Sequence, residues 1–186
     1  ALTLAAATFV AGPARAEQPD VPKKSPHARV EQQVGVTTFA IEYGSPAVRG
    51  RTIWGELVPW GQVWRTGANA ATRLSASREF RFGDETVPAG TYALFTIPGQ
   101  KSWTVILNSK ADTWGAFEYD ASKDVARIEV KPTALAEKRE RMTFVFSDAT
   151  DDSVHLDLEW EKVRVRIPLR VDTRAHVMAN IAAATG

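Results

Sequence analysis

Residues 156–167 read LDLEWEKVRVRI, and no other stretch limits so strongly what the chain can fold into. Apolar and charged residues alternate on both sides of Glu161-Lys162, which is the period of a strand with one buried face. A turn at Glu161-Lys162 sets Trp160 opposite Val163, Leu158 opposite Val165 and Leu156 opposite Ile167, a continuous apolar face. The other face then pairs Glu159 with Arg164 and Asp157 with Arg166. Such cross-strand pairs are worth about 0.2–1 kcal/mol each when exposed. A slip of one residue would drive the arginines into the core, so both faces specify the same register. Pro168 has no N–H to give a ladder, which predicts an edge or a bulge there.

The alternation recurs through the middle of the chain. Thr37 to Tyr43 places Phe39 and Ile41 on one face; Leu74 to Phe82 continues the pattern up to a tight turn at Gly83-Asp84. Pro88-Ala89-Gly90 leads into a strand over 91–97 that Pro98-Gly99 ends, and 103–107, 125–130 and 142–146 are further β-rich runs. Eight or more short strands without intervening helices predict an all-β fold. The expected architecture is an antiparallel β-sandwich or jelly-roll-like domain with a short C-terminal helix. Asp172 or Thr173 is positioned to cap that helix, which runs to about Ala184 with Val177, Met178 and Ile181 on one packing face. A short helical turn is expected around Ala134 to Arg139.

Residues 1–16 read as a signal peptide: an apolar run followed by Ala14-Arg15-Ala16, a cleavage signature. The run is too short to span a bilayer. The expected organisation is a signal peptide over 1–16, an extended tether over 17–25, a sandwich domain over 26–171 and the helix over 172–186, in a periplasmic or secreted protein. The chain carries 23 Lys+Arg and 22 Asp+Glu. Loss of Arg15 with the signal peptide leaves the remainder formally neutral, which argues against nucleic acid or an anionic membrane surface as partner. The absence of cysteine removes disulfides, thiol nucleophiles and thiolate metal sites.

Motifs that would announce a cofactor are missing: there is no phosphate loop, dinucleotide fingerprint, nucleophile elbow or H-E-x-x-H. His27, His155 and His176 form no close ligand pair, and Asp148, Asp151 and Asp152 lack the spacing of a calcium loop. No metal or cofactor is therefore expected. Chemistry concentrates instead in residues 42–72, EYGSPAVRGRTIWGELVPWGQVWRTGANAAT, which hold Trp54, Trp60 and Trp64 beside Arg49, Arg51 and Arg65. Aromatic rings offer rigid apolar walls, Arg and Asn offer directional donors, and glycines let backbone approach a ligand. The candidate ligand-binding residues are Tyr43, Arg51, Trp60, Trp64, Arg65 and Asn69. The competing structural reading has the three tryptophans capping one end of the sandwich while the arginines bond loop carbonyls.

The runs SPHARVEQQVG from Ser25, YGSPAVRGRTIWGELVPWGQVWRTGANAAT from Tyr43, VPAGTYALFTIPG from Val87 and WTVILN from Trp103 resemble the DUF2911 family of bacterial exported proteins over about residues 25–171. The resemblance implies an exported β-sandwich-like domain and no assigned reaction. The family pattern places Glu after the Asn of W-R-T-G-A-N, where this chain has Ala70. A mechanism that needs a carboxylate at that place lacks it here; Glu42 and Glu56 are the acids left in the segment.

Three functions are compatible with these residues. The first is a small-molecule or glycan binding domain, with Trp60 and Trp64 stacking on a sugar ring while Arg51, Arg65 and Asn69 fix its polar groups. The second is a hydrolase or isomerase acting on a polar or anionic substrate, with Arg65 and Asn69 stabilising charge and Tyr43, Glu42 or His27 moving the proton. The third is a structural or interaction protein of the envelope.

Overall fold

A computed structural model describes residues 21–185; the expected signal peptide and the first residues of the tether lie outside them. Ten strands form two antiparallel sheets, and the fold is the sandwich that the alternation predicts. Six of them, β1 (His27–Val34), β2 (Thr37–Gly44), β3 (Thr72–Ala76), β6 (Gly90–Ile97), β7 (Trp103–Asn108) and β8 (Asp124–Val130), form one sheet in the order β1-β2-β3-β6-β7-β8. The other, in the order β5-β4-β10-β9, contains β4 (Phe80–Phe82), β5 (Glu85–Val87), β9 (Thr133–Ser147) and β10 (Ser153–Arg170).

β10 cannot be one straight strand. Fully extended, it would hold Asp152 and Val171 roughly 60 Å apart, yet the Val171 N–H donates to the Asp152 carbonyl at 2.8 Å. The strand doubles back at Glu161-Lys162, with Glu161 at a φ of 55°. Glu159 bonds Arg164 at 2.7 Å and Asp157 bonds Arg166 at 2.8 Å, the register expected from the charge pairs. The first arm and the start of the second pair with β9, and the end of the second pairs with β4. Pro168 lies where β4 turns away, its carbonyl accepting from Gly83 N–H at 3.4 Å.

Three expectations need correction. The stretch 134–139 is the first half of β9 rather than a helical turn, because pairing with β10 at Ala134–Val163 and Arg139–Glu161 outweighs its helix-favouring composition. The run from Leu74 to Phe82 is split between the two sheets at 77–79, so it joins the layers. The terminal helix forms as α1 (Thr173–Thr185), capped by Asp172, whose Oδ1 accepts from Ala175 N–H at 2.8 Å. It buries no residue, however, and Met178 and Ile181 stay exposed.

Between the sheets lies a core that includes Phe39, Ile41, Leu74, Phe80, Phe82, Leu94, Phe144, Leu156, Leu158 and Ile167. One end is closed by four indoles from distant parts of the chain. Trp54 meets Trp103 edge-on at 5.0 Å, Trp64 edge-on at 5.9 Å and Trp160 edge-on at 5.7 Å, while Trp64 stacks on Trp160 at 5.9 Å and 19°. Trp54 Nε1 and Trp160 Nε1 have no conventional acceptor; edge-to-face rings supply π-faces toward which an N–H can point. A second, smaller cluster of Ala71, Ala93, Phe95 and Ile106, joined by Tyr119, lies outside the main core. Phe95 and Tyr119 meet edge-on at 5.0 Å. Burial and the Asp124 carboxylate push the Tyr119 phenol up to about 12, so it stays a neutral donor to Asp124 at 2.7 Å.

Candidate functional site

Alternation along β2 turns Phe39, Ile41 and Tyr43 inward and therefore Glu42 outward. In the register of the sheet, Glu42 lies opposite Arg29 of β1 and Arg73 of β3. Its two carboxylate oxygens are each taken by a guanidinium: Oε1 by Arg29, and Oε2 by Arg73 at 2.6 Å. The hydrogen bond from Arg73 holds the Glu42 carboxyl below its usual range, and that from Arg29 adds to the effect against partial desolvation. Glu42 and Arg73 of this row line the floor of an open cleft of about 770 Å³.

Segments far apart in sequence build the rest of the cleft. Lys23, Lys24, Ser25 and His27 form one wall, the turn 68–71 one end, and residues 111–114 the opposite wall. The tether is held by Arg49, which donates to the Lys24 carbonyl at 2.9 Å, and by Asn69 Nδ2, which donates to the Ser25 carbonyl at 3.3 Å. Across the cleft, Ala71 N–H donates to the Thr113 carbonyl at 3.0 Å and Ala70 bridges Trp114. The Glu118 carboxylate accepts from Trp114 N–H at 2.6 Å, and the Trp114 side chain is 60% exposed. Thr113 is buried with its Oγ1 unpartnered.

The turn at the end of the cleft is under conformational strain. Thr66 has a φ of 56° and Asn69 a φ of 67°; Asn tolerates the left-handed region, but a β-branched residue there is an outlier costing roughly 1–3 kcal/mol. Bonds from Thr66 Oγ1 to the Trp64 carbonyl at 3.2 Å and to Thr96 Oγ1 at 3.1 Å hold it. Gly44 allows the turn to touch β2, since a Cβ at that position would meet the Ala68 carbonyl at 2.1 Å.

Of the six candidates from sequence, the cleft gathers Tyr43 and Asn69. Tyr43 contributes through its place at the end of β2; its ring packs edge-on against Phe144 and its hydroxyl accepts from Phe144 N–H at 3.2 Å. Trp64 is 9% exposed within the indole cluster, stacked on Trp160 and packed edge-on with Trp54 and Trp103. Trp60 is 37% exposed but lies outside the cleft lining. Arg51 donates to the carbonyls of Ala47 at 2.6 Å and Val48 at 3.1 Å, the structural role weighed for it. Arg65 is half-buried outside the lining, and desolvation pulls its pKa down. His27 and Glu42, named as proton-moving candidates, do line the cleft. Arg73 and Trp114 were missed as site residues. Trp114 carried a signal, a large aromatic in the polar loop string KADTWG, whereas Arg73 carried none beyond its place in a strand.

Among the described residues no three His, Asp or Glu side chains converge to hold a metal ion, and no helix is long and apolar enough to cross a membrane. The fold and the site define a two-sheet β-sandwich with an open, aromatic-walled cleft over one outer sheet face. The model of the family described as "Protein of unknown function (DUF2911)" matches residues 25–169, and the chain belongs to that family. No curated protein and no solved structure matches the chain.

Proposed function

We propose that this chain is an exported binding protein whose cleft holds a small polar ligand the size of one or two sugar rings. The carrying observation is Trp114, a largely exposed indole on the wall of a cleft whose floor and far end present Arg73 and Asn69. An exposed ring face beside directional donors suits a flat ligand with a polar rim, and the volume lies in the range of small-molecule sites. Trp114 thus takes the stacking role first given to Trp60 and Trp64, and Arg73 that given to Arg51 and Arg65. Export rests on residues 1–16 alone.

Binding is favoured over catalysis by the state of the acids. Glu42 is held ionised between two arginines with both oxygens engaged, a poor starting point for a general base. The Tyr43 hydroxyl faces the core, which leaves His27 as the one proton-moving candidate of the three with a free side chain at the cleft.

Calorimetric titration of the protein with a panel of neutral and acidic mono- and disaccharides tests this reading. A saturable ligand is expected, with affinity at least tenfold weaker in Trp114→Ala, about 1.4 kcal/mol. Asn69→Gly keeps the left-handed backbone and removes only the amide, so it should weaken binding without lowering Tm. Affinity unchanged in both variants, or no saturable ligand, overturns the proposal; turnover abolished by His27→Ala would favour the enzyme.

A further inference from the structure

On the outer face of the four-stranded sheet, arginines alternate along the second arm of β10, and those near its tip are neutralised from across the hairpin. Arg164 meets Glu159 and Arg166 meets Asp157. In the same register Arg170 faces Ser153, and on its other side it lies directly opposite Arg81 of β4. Like charges directly across an antiparallel pair are unfavourable. Arg174, in the first turn of α1, borders the same depression, and the N-terminus of that helix is capped by Asp172. Among the described residues no carboxylate forms an ion pair with Arg81, Arg170 or Arg174; Arg81 Nη2 donates to the Asp84 carbonyl at 2.5 Å, and Glu79, Asp152 and Asp172 also border the depression. Two of those acids are engaged by backbone donors, Asp172 by Ala175 N–H at 2.8 Å and Asp152 by Thr173 N–H at 3.3 Å. The depression has a volume of about 620 Å³.

We infer that Arg81, Arg170 and Arg174 form a second binding site, remote from the cleft, for a compact soluble oxyanion, the phosphoryl or sulfuryl group of a small ester or of the free ion. Guanidinium forks match tetrahedral oxyanions in geometry and charge, and such a ligand supplies the direct ion-pair partner that the Arg81–Arg170 row does not have. The interaction needs no contribution from Trp114 or Asn69, so it stands or falls independently of the cleft.

The test is calorimetric titration of the whole chain with inorganic phosphate and with sulfate at constant ionic strength set by sodium chloride. Saturable binding is expected for wild type and for the remote surface variant Lys131→Gln, at least tenfold weaker binding in Arg170→Gln, and none in the Arg81→Gln/Arg170→Gln double variant. A merely structural role for these arginines is separated by stability without anion. At low salt, relief of the like-charge row should leave the Tm of Arg170→Gln unchanged or raise it by roughly 1–4 °C. Equal phosphate affinity in wild type and the double variant, or no saturable binding at all, overturns the inference. So does a fall in Tm of Arg170→Gln without loss of phosphate binding. Capture by phosphatidic-acid vesicles without saturable phosphate binding would replace the soluble ligand with a lipid surface and likewise overturn it.

Discussion

Asp157 and Glu159 are two carboxylates buried beneath a cover of guanidinium groups. Sequence alternation gave them an exposed face, but their side chains are almost wholly covered by Arg139, Arg164 and Arg166. Burial alone would push the Asp157 carboxyl up; hydrogen bonds from Arg166 and Ser147, with the charges of Arg166 and Arg164, more than offset this and hold it below its ordinary value. A depressed folded-state pKa stabilises the fold above the unfolded value of about 3.9 and is lost as pH falls through the folded one. Wild type should therefore lose stability steeply below about pH 4. In Asp157→Asn the acid limb of a pH–Tm curve should be shallower, and the variant should be less stable at neutral pH by about 1–3 kcal/mol, because the buried position loses its charge-assisted bonds from Arg166. An acid limb as steep as wild type would show that the stabilisation comes from other groups.

Among the elements, the β10 hairpin and the indole cluster at its tip hold one end of the sandwich. Trp160 is fully buried and Trp60 is not, so Trp160→Ala should cost about 3–5 kcal/mol in urea unfolding, while Trp60→Ala should stay within roughly 1 kcal/mol. Similar costs for both would mean that the cluster does not support this end. The hairpin was legible in the sequence because two independent patterns, apolar alternation and opposed charge, named one register. β1 was not seen as a strand although HARVEQQV turns Ala28, Val30 and Val34 inward; Gln32 interrupts that apolar face, and the strand is completed by eight paired positions with β2. The first half of β9 was misread for the same reason, since Ala, Leu, Glu and Lys favour a helix until a partner strand is present. Of the segment 42–72, Glu42, Tyr43, Gly44 and residues 68–71 line the cleft. The row Arg29–Glu42–Arg73 and the wall at Trp114 depend on pairings and loop contacts between distant residues, which no local pattern encodes.

At the scale of the whole molecule, the cleft belongs to no single segment, and the tether is its least anchored wall. Removing residues through Ser25 deletes the bonds from Arg49 and Asn69 but keeps Pro26, whose carbonyl accepts from Ser45 N–H at 2.8 Å. The shortened protein should unfold at nearly the wild-type urea midpoint and bind the cleft ligand several-fold more weakly. An unchanged affinity would show that the tether lies beside the ligand without closing on it.

The indole cluster also makes the protein its own optical gauge. Trp54, Trp64, Trp103 and Trp160 come from widely separated parts of the chain, yet the pairs recorded among them have ring centroids 5.0–6.4 Å apart. At such spacing their electronic transitions couple, and the share of the resulting exciton signal in circular dichroism that comes from Trp160 of β10 exists only while both sheets are joined. Trp60 and Trp114 lie outside that assembly, and in a Trp60→Phe background the emission of Trp114 reports events at the cleft. Opening of the sandwich and occupation of the cleft are thereby written in two different spectral signals of the unlabelled chain.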